Sequence, residues 1–297
     1  MTTTTERPVE QKPSRPAVVP EATRLRVGRI AGYTALVLIA LIYLYPFALQ
    51  LGTSFKFDAE ATASPLNPFP THWTVAAYTQ LFQQDLPRWF GNSVVVAIFV
   101  TAGRVFFDSL AGYALARLRF RGRTFINAAI IATMAVPGVV LLIPKFLIIN
   151  QLGMYNSYSG MVIPLLADAA GIFIMKQFFE SVPPSLEEAA RIDGAGVFRT
   201  FWSVVLPVAR PAIITITIMS FQSSWNELPH FLISRSDPDL NTLTTGIAGL
   251  LTGGFGAGQR FPLKLAAAVL MTIPVALMYI YFQKRIVAGS LEGAVKE

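Results

Sequence analysis

The sequence predicts an all-α, polytopic membrane protein with six transmembrane helices, and three observations carry that expectation. Hydrophobic residues make up 53% of the 297 residues and charged residues only 14%, with a mean hydropathy of +0.52, a balance foreign to soluble globular chains. Six stretches approach the roughly 20 apolar residues that a spanning helix needs. Lysines and arginines gather at the ends of those stretches, with a strong bias toward one side.

Residues 1–29 are rich in Thr, Pro and charge, have little to bury, and are expected to be a disordered cytoplasmic tail. The first span, 30–52, has an apolar core longer than that of a signal peptide and lacks a small-residue cleavage pattern, so it is expected to stay as an anchor. The external connection 53–89 is broken by Pro65, Pro68 and Pro70 and holds a short amphipathic helix at 76–84. A five-helix core, 90–282, follows, with spans at 90–116, 125–143, 158–178, 211–233 and 263–282. A tail, 283–297, closes the chain.

Two spans carry polar groups that lipid would not tolerate. Arg104 and Asp108 are four residues apart and share one helix face. Arg104 stands about 20 Å along the axis from Arg117, near mid-membrane, where an unpaired charge is costly. The pair reads as an intramembrane ion pair, packed on a neighbouring helix or on a partner subunit. The fifth span has a polar second half, with Gln222, Ser223, Ser224, Trp225, Asn226 and Glu227. Groups of that kind face protein or a wet cavity, so this span is expected to line something. Gln222 stacks with Asn226 and Ser223 with Glu227 on adjacent strips, and Trp225 lies about 100° from either neighbour.

Placing both termini inside makes 1–29, 117–124, 179–210 and 283–297 cytoplasmic. Counting Lys176 at the inner end of the fourth span, 17 basic residues then lie inside and six outside, as the positive-inside rule requires. The +7 formal charge is spread along the membrane boundaries rather than gathered on one domain, so nucleic acid is not an expected partner.

Catalysis is not expected of this chain. It has no cysteine, which removes disulfides, thiol chemistry and cysteine-ligated metals. His72 and His230 have no zinc-site spacing. The glycine-rich run LTGGFGAGQR in the external segment 234–262 lacks the G-K-[ST] ending of a phosphate loop and reads as a flexible loop. No catalytic, cofactor or metal site is therefore assigned.

The cytoplasmic segment 181–210 is the most distinctive. Pro183-Pro184 ends any preceding helix, and Ser185 with Glu188 has the spacing of a capping box. Gly194 stops that helix, and Val197, Phe198, Phe201, Val204 and Val205 recur at helical spacing on a second one that ends near Pro207. Glu188-Ala189-Ala190, Gly194, Val204 and Leu206-Pro207 stand in the spacing E-A-A-x3-G-x9-V-x-L-P. This resembles the cytoplasmic EAA loop of permease subunits of bacterial binding-protein-dependent ABC importers. NSVVVA, GYALARLRFRGR, LIPKFLIINQLGMYNSYSGMVIP, SFQSSWNELP and FQKRIVAGSLEGAVKE, in that order, are similar to the carbohydrate branch of the family, of the maltose-transporter kind. Arg104 and Asp108 depart from it, in a span that is usually apolar there.

The resemblance implies a type I ABC importer permease fold in the bacterial inner membrane, without cofactors of its own. Its partners would be a second homologous permease, two cytoplasmic ATPase subunits that hydrolyse the ATP, an extracytoplasmic solute-binding protein, a sugar and the lipid bilayer. Glu188, Ala189, Ala190, Asp193, Gly194, Leu206 and Pro207 would form the loop that couples to the ATPase. Gln222, Ser223, Trp225, Asn226 and Glu227 would line the solute path, their amides and carboxylate serving sugar hydroxyls and the indole a ring face. In a second reading, they bond to partner helices and hold the permease dimer together. Glycerol-phosphate or another polar solute is the alternative cargo. A secondary transporter is the alternative class, although no internal repeat supports it.

Overall fold

The computed structural model describes residues 21–252 and 260–294, and side chains over 29–250 and 260–283. Among these residues every regular element is helical. The chain divides into two units, Met1–Leu49 and Gln50–Glu297.

Helix α1, Glu21–Thr53, supplies the first unit. It begins nine residues before the expected start at 30, so 21–29 is not irregular; the remainder of that tail lies outside the described residues. Ile30, Leu36, Ile42 and Tyr43 are all exposed, and apolar exposure on every face is what lipid permits and water does not.

The second unit opens with the connection 53–85, which contains α2, Asp58–Ala63, and α3, Ala76–Phe82. The latter is the expected amphipathic helix, with Ala77 and Leu81 buried. Two side chains shape the intervening loop. Lys56, 1% exposed, donates from Nζ to the carbonyls of Ser64 and Asn67 at 3.2 and 2.6 Å. Glu60 accepts the backbone N–H groups of Thr71 and His72 at 2.5 and 3.4 Å. The Thr71 N–H holds the Glu60 carboxyl below its usual range. A lowered folded-state value means that the stitch contributes fully above the unfolded value and is lost as pH falls through the lowered one. Protection of the Thr71 amide, relative to its intrinsic exchange rate at each pH, should therefore fall only as pH drops through that lowered value, and Glu60→Gln should remove that step. A mass-spectrometric exchange profile across pH checks both.

α4, Leu86–Arg117, is the long central span. It packs along α8, Ala169–Ser181, which is preceded by α5, Arg123–Met134, α6, Leu142–Gln151, and α7, Tyr158–Val162. A Cβ on Gly112 would stand 2.7 Å from the Met175 Cβ, so only glycine lets α4 and α8 approach this closely. The expected third span, 125–143, is not one straight helix: the chain bends by 104° between α5 and the Gly138–Gln151 helix. Pro137 lacks the N–H that would continue α5, and Gly138 favours the break. The fourth span is interrupted too, passing from α7 through a 3₁₀ turn, Ile163–Leu165, to an Asp168 cap that starts α8.

The loop 181–210 contains α9, Pro184–Ile192, α10, Val197–Thr200, a π turn, Phe201–Val205, and α11, Leu206–Val208. Pro207 has no N–H and crowds the carbonyl four residues back, which accounts for the widened turn before it. α12, Arg210–Trp225, meets this run at 80°. The expected fifth span therefore ends at Trp225, not Ile233, and a separate short helix, α13, Pro229–Ser234, follows. α14, Leu243–Thr252, and α15, Phe261–Ala294, complete the described chain. The core of LTGGFGAGQR lies outside the described residues, and α15 continues as helix into the expected tail at 283.

Among the described residues, four helices, Arg29–Thr53, Leu86–Arg117, Tyr158–Ser181 and Phe261–Gln283, are long and apolar enough to cross a membrane. The two bent pairs raise the number to six if each counts as one span. Three buried clusters hold the second unit together. The first centres on Trp89 and Trp225, the second on Tyr113, Phe179 and Phe201, and the third on Val96, Met161 and Phe231.

Candidate functional site

The loop 181–210 is built as two short helices around a glycine turn. Gly194 has φ +77°; its N–H donates to the Arg191 carbonyl at 3.0 Å, and the next N–H, from Ala195, reaches the Ala190 carbonyl at 2.9 Å. That is a Schellman closure of α9, and it needs a left-handed residue at the turn. The expected capping box is absent. Pro183 occupies the cap position, which places Ser185 inside the first turn with no side-chain cap bond.

The two glutamates of the loop have opposite environments. Glu188 and Ala189 are exposed, as are Asp193, Gly194 and Pro207; Leu206 is half-buried and Ala190 is buried. Glu187, invisible to the motif, is 4% exposed. Its Oε1 lies 3.0 Å from Arg117 Nε, a close ion pair although off the line of a hydrogen bond. Its Oε2 accepts from the Tyr113 hydroxyl at 3.3 Å and has Arg191 at 3.8 Å. Arg117 also donates to the carbonyl of Val182, just before α9. Tyr113 and Arg117 are one turn apart at the C-terminal end of α4, so that end grips the start of α9 and the residue before it at three points. A cleft of about 520 Å³ runs beside the junction, bordered by Arg117, Arg119, Glu187, Glu188 and Arg191.

Arg104 and Asp108 are buried as expected but form no ion pair with each other. Arg104 Nε donates to the Leu165 carbonyl at 2.8 Å, and Asp108 Oδ1 accepts the Asp168 N–H at 3.0 Å. Each side chain gives one atom to the interrupted backbone of the fourth span, whose free polar groups would otherwise be costly at membrane depth. Asp168 itself caps α8, accepting from Gly171 N at 3.2 Å. It was not among the residues the sequence pointed to, although an Asp ahead of Ala169-Ala170-Gly171 in an apolar run is a helix-start signal.

The polar end of α12 is only partly as expected. Gln222, Ser223 and Asn226 are exposed, and Asn226 Nδ2 donates to the Gln222 carbonyl at 2.9 Å. Glu227 leaves the strip because the helix has ended; its carboxylate accepts the His230 N–H at 2.9 Å and its carbonyl accepts from Thr244. Trp225 is 2% exposed, stacked on Phe221 and edge-on to Phe90, with its Nε1 donating to the Met271 carbonyl at 3.1 Å. No face of the indole is open to a solute, and its role is to fasten α12 to α15.

Comparison with known proteins agrees with this architecture. Residues 108–289 match the family model described as binding-protein-dependent transport system inner membrane component. The chain is 38% identical over 256 residues to the sulfoquinovosyl glycerol transport system permease protein of Agrobacterium fabrum, covering 85% of this chain and 89% of that one. It is 32% identical to the trehalose/maltose transport system permease protein of Thermococcus litoralis, covering 88% and 94%. Among solved structures, a chain of a bacterial ABC transporter involved in import of the acidic polysaccharide alginate superimposes with a TM-score of 0.75 at 26% identity, covering 91% of this chain and 99% of that one. With this match and these relatives, the chain belongs to the inner-membrane components of binding-protein-dependent transport systems, as a multi-pass permease.

Proposed function

We propose that this chain is one permease subunit of an ATP-driven importer, and that it moves a carbohydrate delivered by an external solute-binding protein. A second homologous permease completes the path, and two separate cytoplasmic ATPase subunits drive it. Both termini are cytoplasmic in this reading, which the 17-to-six distribution of basic residues supports. The solute class is supported by the printed functions of several relatives, which name sugars, oligosaccharides and a sugar glycerol conjugate.

The observation that carries the proposal is the folded loop 181–210. α9 presents Glu188, Ala189 and Ile192 outward, with Phe198 exposed beyond the turn, while its first turn is fixed to α4 through Glu187. A small, exposed helix end suits insertion into a cleft of an ATPase, with Glu188 offered to a basic group there. Closure of the ATPase pair on ATP would then move α9, and α4 with it, rocking the path between its two openings. Purification of the tagged chain from native membranes should bring down an ATP-hydrolysing subunit and a second permease. Uptake driven by an ion gradient without ATP, and a chain that purifies alone, would contradict the proposal.

The exposed polar end of α12 lines the path in this account, through Gln222, Ser223 and Asn226. Asn226→Ala should lower carbohydrate uptake by about tenfold, the effect of one or two hydrogen bonds lost to the moving solute, with the assembled complex still recovered. Dissociation of the complex by this substitution would instead assign Asn226 to holding the permease pair together.

A further inference from the structure

Arg104, Asp108 and Asp168 lie together between α4 and α8 at mid-span, and their backbone bonds leave polar capacity unused. Arg104 is 8% exposed and uses Nε on Leu165; its two terminal amino groups make no hydrogen bond to the described residues. Asp108 is fully buried, and its Oδ2 has no partner. That oxygen lies against Gly171, where an added Cβ would stand 2.1 Å away, so a glycine is required to leave the carboxylate room. Beside this cluster is a cavity of about 150 Å³ lined by Arg104, Asp168, Gly171, Ser220 and Ser223 among others. The terminal amino groups of Arg104, which have no hydrogen-bond partner among the described residues, cannot border a dry void at membrane depth. The space corresponds to on the order of five water molecules.

We infer that this cavity is a binding subsite within the solute path, taking hydroxyl groups of a neutral carbohydrate as it crosses. The inference rests on the importer reading given above. Ser223 is exposed on α12 next to Gln222, so the cavity opens beside the polar strip already assigned to the path. Its lining offers a guanidinium, a carboxylate and two serine hydroxyls beside the apolar side chains of Ile174, Ile216 and Met219. A sugar hydroxyl donates and accepts at once and can use both charged groups. A uronate or sulfonate would gain from Arg104 and lose against Asp168. The guanidinium is held in one plane by its Nε bond, which gives its free amino groups a fixed direction.

The test uses the complete importer in proteoliposomes, with trehalose, maltotriose and arabinotriose as neutral solutes and digalacturonate as the anionic one. Ser223→Leu fills the cavity mouth from an exposed position, and Asp168→Asn keeps a cap acceptor for α8 while removing the charge. Each should lower uptake of the transported neutral sugar by about tenfold, mainly through KM, with the complex still assembled. Because the chain has no cysteine, Ser223→Cys gives it a single thiol. That thiol should react with a cationic methanethiosulfonate faster than Phe99→Cys on the exposed apolar face of α4, and the transported sugar should slow the reaction. Native uptake of a neutral sugar with both variants behaving like the native complex would overturn the subsite alone. Fast labelling without protection by the sugar would overturn it too, leaving a site for water, and so would no labelling, which would place Ser223 against the partner permease and off the path. A native complex that moves none of the four solutes would overturn the carbohydrate reading, and the subsite with it.

Discussion

Gly194→Asp is expected to abolish uptake while leaving the subunit inserted and folded. The residue sits at φ +77°, where a side chain costs about 1–2 kcal/mol, and aspartate is among the residues that tolerate this region best. Among the described residues, and apart from its two chain neighbours, nothing lies within 4 Å of where its Cβ would be. The substitution therefore meets nothing within the subunit, and its cost there is small beside the stability of a multi-helix domain. Its effect falls on what occupies that open space in the assembled machine. A second negative charge would also stand beside Asp193 at the C-terminal end of α9, the end whose dipole disfavours anions. Gly194→Asn adds bulk of the same size without charge and should retain more uptake. Membrane insertion, complex recovery and uptake, measured together, check this; a Gly194→Asp complex with normal uptake would show that the turn faces no partner.

Removing Glu187 is the second large effect. The carboxylate and Arg117 side chains are 6% and 13% exposed, and stripping one partner from a pair this buried costs about 3 kcal/mol. Glu187→Met should lower the thermal stability of the complex and reduce the solute moved per ATP hydrolysed, because α9 can then shift without carrying α4. Arg117→Met should do the same and also free the Val182 carbonyl. In the double variant both charges are gone, so the loss should be less than the sum of the two by at least about 1 kcal/mol. Strict additivity of the two losses would mean that the pair carries no linkage between loop and span.

The contrast between these two positions shows how far the sequence could be read. Gly194 was legible because a turn glycine acts locally and its spacing from Glu188 is a property of one segment. Glu187 was not, since its burial depends on Tyr113, 74 residues away in the chain, and on Arg117 beside it. Arg104 and Asp108 misled in the same way. Their four-residue spacing suggested each other as partners, whereas the bonds they make reach 61 and 60 residues along the chain to a broken helix. Span positions followed from hydropathy, but hydropathy carries no direction, so the 104° bend after Met134 became visible only as the consequence of Pro137 and Gly138. On α12 the polar residues were found and the helix end at Trp225 was missed, which moved Glu227 off the strip and the indole into the core.

The coupling account is tested most directly by where a single thiol on this cysteine-free chain can be captured. Ala189 is exposed on α9, and Phe69 is 75% exposed in the connection assigned to the opposite side of the membrane. With a short thiol-to-amine cross-linker in the assembled complex, Ala189→Cys is predicted to give a product containing this chain and the ATPase subunit, with a yield that changes when ATP is bound. Phe69→Cys is predicted to give none. Capture of the ATPase from Phe69→Cys, or an Ala189→Cys complex that never joins it, would contradict the account.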